Sequence, residues 1–448
     1  FSDPVPLNEM TYLCSYTPTI QPWLADTWAI YVGDRHGNIA LVLRDESISL
    51  AEPLPLVRRP RPHAIPPTAE GYAPPETSAG NADDDAHLLM LDVYEGLAGV
   101  ARGTVKSLRI IEDVPRVGLH RGGVIVTSAT NIYTVKRILG RVPVEADGSA
   151  YFVVPADRNV YFEALDADGR EVQRMRSVVC LRPGERRTCI GCHEGRTTSP
   201  PNRPAAAWRR LPSRPAPPPW GRDRTISYLR DVQPLLDEQC VRCHAYDRPA
   251  AGVILTGDLT DRFCISYEEL VRHLHLANAM RWDHGDDVYA RPPYTYGSRS
   301  SPLCRLLDKG HHGVKLSGEQ WQRLAGWIDA NGVYYDRYDE GRWPGRRIFA
   351  GQAGQAMREV YARRCSSCHG REGGGERDTW WLSLNWRRSE LSRCLQAPLA
   401  RAAGGWQRCG SVFATADDGD YRAMLAAATE LGKSLRANGR GDLLSLEG

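Results

Sequence analysis

Three pentapeptides in this sequence share the pattern Cys-x-x-Cys-His, and each could bind one haem. Two cysteines at this spacing form thioether bonds to the two vinyl groups of a haem, and the adjacent histidine reaches the iron from one face. The pattern therefore predicts three covalently attached c-type haems. The attaching cysteines would be Cys189, Cys192, Cys240, Cys243, Cys365 and Cys368. The histidines bound to iron would be His193, His244 and His369.

Zinc is the alternative, because Cys-x-x-Cys pairs also build structural zinc sites. Zinc ribbons usually place their two pairs about 15 to 20 residues apart, whereas these pairs are separated by much longer stretches. A ribbon also does not require a histidine after every second cysteine. Haem is therefore the favoured interpretation of the pattern.

The ligand on the opposite face of each iron needs a separate argument. For the second haem, five histidines after the motif are candidates: His273, His275, His284, His311 and His312. For the first haem, four residues remain open: Met175, His63, His87 and His120.

No histidine follows His369, so the third haem takes a methionine or an upstream residue as its second ligand. Met424 follows the motif at a distance typical of small cytochromes c, although its place on an apolar helix face also suits a core residue. Met357 is the weaker candidate. A methionine ligand would raise the reduction potential relative to a bis-histidine haem.

The composition of the 448 residues is that of a globular protein, with 42% hydrophobic residues and room for about three domains. The net charge of +3 gives no reason to expect nucleic acid or a membrane surface as a partner. No apolar run approaches the length needed to span a bilayer. We expect a soluble protein whose partners are other redox proteins or cytochromes.

The compartment is expected to be periplasmic or extracellular, because bacteria attach haem to Cys-x-x-Cys-His outside the cytoplasm. The chain begins at Phe1 without a leader, so we expect a signal peptide that was removed or lies upstream. Six cysteines lie outside the motifs, an even number compatible with disulfides. Cys264 with Cys304 and Cys394 with Cys409 are the predicted pairs, with free buried thiols as the alternative.

Hydrophobic periodicity predicts a multidomain β and α protein. Residues 1–57 form a small antiparallel β unit around the turn Gly33 to Gly37, and 58–86 are a linker. Residues 87–196 form a β-sandwich with the first motif on a loop at its edge. The predicted strands are Leu88 to Val93, Val105 to Ile111, Gly123 to Thr127, Tyr151 to Val154 and Asn159 to Leu165.

The second half of the chain has helical periodicity. Residues 197–220 contain eight prolines and are a linker. Residues 221–342 form an α-helical haem domain, with helix starts predicted at Asp231, Ser266 and Ser317. Residues 343–448 follow the order helix, motif, long loop, helix, which is typical of a cytochrome c-like domain.

Four segments resemble the middle domain of the hydrazine synthase alpha subunit family: Val142 to Tyr151, Leu165 to Gly169, Val172 to Ser177 and Pro183 to Glu194. The segments Asp231 to Leu316 and Trp327 to Asp329 resemble that family's C-terminal haem domain. Residues 1–57 resemble the closing blade of its β-propeller, and the Cys365 motif is an additional cytochrome c-like domain.

The resemblance also bears on ligands and activity. In the family's enzyme the middle-domain haem is catalytic and is held by a tyrosine four residues after the motif histidine, which itself binds zinc. The matching position here is Thr197, so the resemblance implies the architecture and not the reaction, with zinc as an alternative for His193. It favours His311 as the second ligand of the second haem, which would then be closed to substrates.

The preferred hypothesis is an extracytoplasmic multihaem cytochrome that transfers electrons between its haems and partner proteins. One version has it docking with copies of itself or other cytochromes, as a homo-oligomer or filament. The rival is an oxidoreductase subunit with an open iron coordination position at Cys189 to His193, acting on a small nitrogen compound. A zinc-stapled scaffold is the third hypothesis, and it predicts a colourless protein.

Overall fold

The computed structural model describes most of the chain. The described residues are 1–18, 28–58, 85–115, 127–129, 134–192, 199, 203–246, 249–260, 263–277, 291–338, 351–369, 384–410 and 412–437. The chain divides into two compact units, Phe1–Pro67 and Thr68–Gly448. None of the helices in these ranges is long and apolar enough to cross a bilayer.

The first unit contains a four-stranded antiparallel sheet whose strands follow one another in sequence order. They are β1 Ser2–Pro6, β2 Thr11–Tyr16, β3 Ala29–Asp34 and β4 Ile39–Leu43. The turn between β3 and β4 forms because the Asp34 carboxylate accepts the backbone N–H groups of His36 and Asn38 at 2.9 and 3.0 Å. The antiparallel arrangement agrees with the prediction, and the predicted turn from Gly33 to Gly37 lies between β3 and β4.

The second unit begins with two sheets that share one hydrophobic core. Their strands are β5 Asp85–Met90, β6 Ser107–Val114, β7 Val135–Pro143, β8 Ala150–Pro155, β9 Val160–Leu165, β10 Glu171–Arg174 and β11 Arg186–Cys189. One sheet has the order β10-β9-β6-β7 and the other β11-β5-β8. Leu88 and Phe152 of the second sheet lie in the same buried cluster as Ile110 and Phe162 of the first. The apolar faces of both sheets are therefore removed from water together.

These sheets differ from the prediction in the position of the first motif and in three strands that were not predicted, β7, β10 and β11. Strand β7 was not predicted, because its cations Lys136 and Arg137 interrupt the apolar alternation; in the fold they pair with Asp113 and Glu112. The first motif does not start on a loop, since Cys189 is the last residue of β11, which pairs in parallel with β5. The predicted strand from Gly123 lies largely outside the described residues, and Thr127 belongs to no strand.

After these sheets, the described part of the second unit contains helices joined by loops. They are α1 Tyr228–Asp231, α2 Gln233–Gln239, α3 Ile265–Leu270, α4 Gly297–Ser300, α5 Pro302–Asp308, α6 Gly318–Asp329, α7 Gln352–Arg364, α8 Ser366–His369, α9 Arg393–Gln396 and α10 Gly419–Ala437. One core cluster surrounds Trp327 and Tyr228, and another contains Met357, Phe413 and Met424 where α7 and α10 pack.

The predicted helix starts had different outcomes. The capping box of Ser317 and Gln320 is present at the start of α6. Asp231 is not an N-cap residue: it ends α1, whose N-cap is Ser227, and its carboxylate accepts the Ser227 N–H at 2.9 Å and pairs with Arg224. Ser266 is also not a cap, because it lies inside α3, where its hydroxyl hydrogen-bonds Gln233.

Candidate haem-attachment sites

The second motif follows α2, whose buried Leu235 and Leu236 hold the helix against the core. The backbone N–H groups of Cys243 and His244 both donate to the carbonyl oxygen of Cys240, at 3.1 Å. This tight turn gathers the two thiols and the imidazole within one turn of chain. Burial raises the pKa of Cys240 to about 11, so its sulfur stays a neutral thiol at neutral pH.

The ring of His311 faces the ring of His244. The ring centroids lie 6.1 Å apart, and the ring planes are within 19° of parallel. Two imidazoles bound to opposite sides of one iron would have centroids about 6.2 Å apart, from two bonds of about 2 Å and about 1.1 Å from each nitrogen to its ring centre. The two rings are therefore spaced as a bis-histidine iron site requires.

The hydrogen bonding of His244 also suits a metal ligand. Its Nδ1 lies 3.2 Å from the carbonyl oxygen of Val253, which can only accept, so Nδ1 carries the proton. Nε2 is then unprotonated, as a nitrogen that binds metal must be. Burial lowers the pKa of His311, and the neighbouring His312 and His244 lower it further, which favours the neutral imidazole that binds metal.

The other histidine candidates lie in different settings. His312 packs edge-on against His311, with ring centroids 4.7 Å apart. His273 ends an exposed turn of 3-10 helix, Val271–His273, and His275 lines a cavity of about 580 Å³. His284 lies outside the described residues.

The first motif is built on the edge of a sheet. The carbonyl oxygens of Cys189 and Ile190 accept the N–H groups of Leu91 and Asp92, and the N–H of Cys192 donates to Glu95 at 3.1 Å. A Cβ on Gly191 would lie 2.4 Å from both the Cβ and the carbonyl oxygen of Glu95, so only glycine fits here. Both cysteines pack against the core of the two sheets. His193 and Thr197 lie outside the described residues.

Two of the four candidates for the opposite face of the first haem can be placed. Met175 packs against the same core as Cys189 and Cys192. His87 alternates along β5 with Leu88 and Met90, which face that core, so its ring points to the other side, toward Tyr151. His87 therefore does not face the first motif. His63 and His120 lie outside the described residues.

The third motif has the same backbone turn as the second, since the N–H groups of Cys368 and His369 donate to Cys365 at 3.1 and 3.0 Å. Cys368 and His369 are exposed. The Tyr361 hydroxyl donates to the carbonyl of His369 at 3.1 Å. Met424 is 1% exposed in the core between α7 and α10, close to the buried Met357. That Met424 is an iron ligand stays a prediction.

The predicted disulfides are absent, because Cys264, Cys304, Cys394 and Cys409 are all free thiols. Cys264 instead lies 3.2 Å from the hydroxyl of Ser266. Burial raises the pKa of Cys264 and of Cys304 to about 12. The alternative of free buried thiols therefore holds for Cys14, Cys264, Cys304 and Cys394, whereas Cys180 and Cys409 are exposed. Within the described ranges, no three His, Cys, Asp or Glu side chains converge as a metal-ion cluster would.

A buried ionic seam, formed by Arg109, Glu163, Glu171, Arg174 and Asp329, joins the sheets to the second-motif region. Arg109 contacts Glu163 and Asp329, each at 2.8 Å, and all three side chains are fully buried. Arg174 binds Glu171. Burial raises the pKa of Glu171 to about 8.

The seam also reaches the first motif. Burial raises the pKa of Cys192 to about 12, and the nearby carboxylate of Glu171 adds to the rise. Asp329 ends α6, the helix that follows His311 and Ser317 in the chain. The seam therefore joins the β sheets to α6 through the contact of Arg109 with Asp329.

Comparison with known proteins supports the family resemblance. Residues 103–194 match the family model of the hydrazine synthase alpha subunit middle domain, and this segment includes the first motif. Over these residues the chain is hydrazine synthase alpha-like. A search of the curated proteins found no match.

The fold of the chain is similar to a solved structure of Kuenenia stuttgartiensis hydrazine synthase. The TM-score is 0.55 and the sequence identity is 19%, over 75% of this chain and 55% of that chain. At this identity the likeness concerns the fold alone. The chain spans about half the length of the solved one, and the likeness extends well beyond the middle domain.

Some residues of the sites were not foreseen from the sequence. Val253 orients His244 through its carbonyl oxygen, and Glu95 excludes a side chain at position 191 through its backbone. Because every residue type has a backbone, the sequence does not reveal these roles. The ionic seam could have been suspected from charges within apolar strands, such as Arg109 between Leu108 and Ile110.

Proposed function

We propose that this protein is a multihaem c-type cytochrome that transfers electrons through three covalently bound haems. The supporting observation is the pair of parallel rings of His244 and His311, 6.1 Å apart. Cys240 and Cys243 would attach that haem. A haem with two histidine ligands exchanges electrons and leaves no position for substrate.

The finer architecture belongs to the same proposal. The four-stranded unit would be a propeller blade, the two sheets a β-sandwich, and residues 221–342 and 343–448 two cytochrome c-like domains. Because bacteria attach haem to this motif outside the cytoplasm, the protein would be periplasmic or extracellular. The matched family is named for an alpha subunit, which supports partner chains, here other cytochromes or redox proteins.

The test is an optical and electron paramagnetic resonance spectrum of the protein produced with a c-type haem attachment system. Haem is counted by the pyridine haemochrome method. Three low-spin haems per chain are expected. A colourless protein that binds zinc would overturn the proposal.

The second candidate is an oxidoreductase with its active site at the first motif. It is favoured by the family match, which places Cys189 to His193 at the end of a hydrazine synthase alpha middle domain. This hypothesis predicts two low-spin haems and one high-spin haem, with the high-spin iron lost from a Cys189→Ala and Cys192→Ala variant. A small nitrogen compound would then perturb only the high-spin spectrum.

A further inference from the structure

Tyr246 and Trp406 form an aromatic bridge between the second and third motif regions. Their ring centroids lie 6.0 Å apart, and the ring planes are 25° from parallel. The Arg388 guanidinium lies 5.5 Å from the Tyr246 ring centroid, and that of Arg408 lies 5.2 Å from the Trp406 ring centroid. The Asn385 side chain donates to the Tyr246 hydroxyl at 3.3 Å. Both rings are thus held in place by neighbours.

Each end of the aromatic bridge lies close to one motif. Tyr246 is two residues after His244 in the chain. Trp406 lies six residues before Val412, whose carbonyl oxygen accepts a hydrogen bond from the side chain of Arg364 at 3.1 Å. Arg364 is the residue immediately before Cys365. The loop that carries Trp406 therefore lies beside the third motif.

The surrounding interface fixes the two regions against each other. Arg388 binds both carboxylate oxygens of Asp258 at 2.8 Å, and the backbone N–H of Trp386 donates to Leu259 at 3.2 Å. Arg393 pairs with Glu269 at a largely buried position. These contacts remain when the aromatic rings are changed, so the rings can be tested separately from the docking.

We propose that the Tyr246–Trp406 bridge is the route by which an electron passes between the second and third haem sites. This inference rests on the proposed function. With haem bound at both motifs, one electron would leave the iron held by His244, which would be oxidised, and would reduce the iron held by His369. No bond forms or breaks, and Tyr246 keeps its phenolic proton. Facing π systems provide delocalised orbitals across the interface, where saturated side chains would not.

The test uses the full chain with Trp406→Leu and Tyr246→Leu, and with Trp406→Phe and Tyr246→Phe as conservative partners. Electron redistribution between the two haems is followed after flash photoreduction. Midpoint potentials, haem content and hydrogen-exchange protection of residues 384–410 are measured on the same samples. The leucine variants should slow electron transfer between the two haems several-fold, with unchanged midpoint potentials and unchanged hydrogen-exchange protection. The phenylalanine variants should retain most of the wild-type electron-transfer rate.

Arg393→Gln is the control, because it removes an interface contact without touching either ring. Its rate should stay close to that of the unaltered protein. Wild-type rates in both leucine variants would overturn the inference, and so would equal slowing in Arg393→Gln, which would assign the effect to docking. A missing haem at either motif is detected by the haem count alone, and it would count against the proposed function rather than against the bridge.

Discussion

The second and third motifs have the same local geometry in different surroundings. In both, a helix ends at the first cysteine, and the histidine N–H donates to that cysteine's carbonyl, at 3.1 Å for His244 and 3.0 Å for His369. Beyond this turn they differ. His244 faces a second imidazole, whereas His369 is exposed. The pentapeptide thus determines how haem would be attached, whereas residues distant in the sequence determine which ligand would lie on the other side of the iron.

The two regions also differ in how they are anchored. The second is joined to the β sheets through the fully buried contact of Arg109 with Asp329. The third is joined to the second by the largely buried pair of Arg393 with Glu269 and by the pair of Arg388 with Asp258, in which the arginine side chain is 50% exposed. Burial makes the first contact far more sensitive to loss of one partner. We therefore expect the second region to be fixed more firmly than the third.

The largest effect should come from removing the attaching cysteines. Cys240→Ala with Cys243→Ala, and separately Cys365→Ala with Cys368→Ala, should each remove one haem from the pyridine haemochrome count, because no thioether can form. Each double variant serves as the control for the other. Unchanged haem content in either would show that the motif concerned does not attach haem.

Breaking the buried anchor should have the next largest effect. Arg109→Met leaves Glu163 and Asp329 buried without their cation, which should lower the free energy of unfolding by about 3–5 kcal/mol. The matched exposed variant, Arg388→Ala, should cost about 0–1 kcal/mol. Denaturant unfolding of the haem-loaded chain measures both. Equal costs would contradict the difference in anchoring.

Removing the facing imidazole should change the second haem without detaching it. His311→Ala should convert one low-spin haem to high-spin, because the iron loses its sixth ligand while Cys240 and Cys243 still hold the porphyrin. His312→Ala is the control, since that ring touches His311 and does not face His244. Electron paramagnetic resonance distinguishes the two variants. An unchanged spectrum in His311→Ala would remove His311 as a ligand.

The sequence predicts features that depend on neighbouring residues. The capping box at Ser317 and the apolar stripe of Met357, Val360 and Tyr361 lie within single helices, and both are present. The pairing of His311 with His244 was predicted only through family resemblance. Their spacing along the chain has no periodicity, so the facing geometry becomes visible only in the fold.

Features that depend on distant partners were missed or misassigned. Asp231 has the residue type of a helix cap, but Arg224 and Arg323 bind its carboxylate from both sides. Strand β7 contains cations that an isolated strand would expose, and acidic residues of β6 neutralise them. Charge partners from elsewhere in the chain override local propensity in both cases.

The smallest expected effect concerns the third motif and tests which residue is the second ligand of its haem. Met424→Leu keeps the apolar volume, so it should cost less than about 1.5 kcal/mol of stability. If Met424 binds iron, the variant also turns the third haem high-spin. Met357→Leu is the matched control, because Met357 is equally buried in the same core and should change stability alone. Identical low-spin spectra for the two variants would make Met424 a core residue and require an upstream ligand for the third haem.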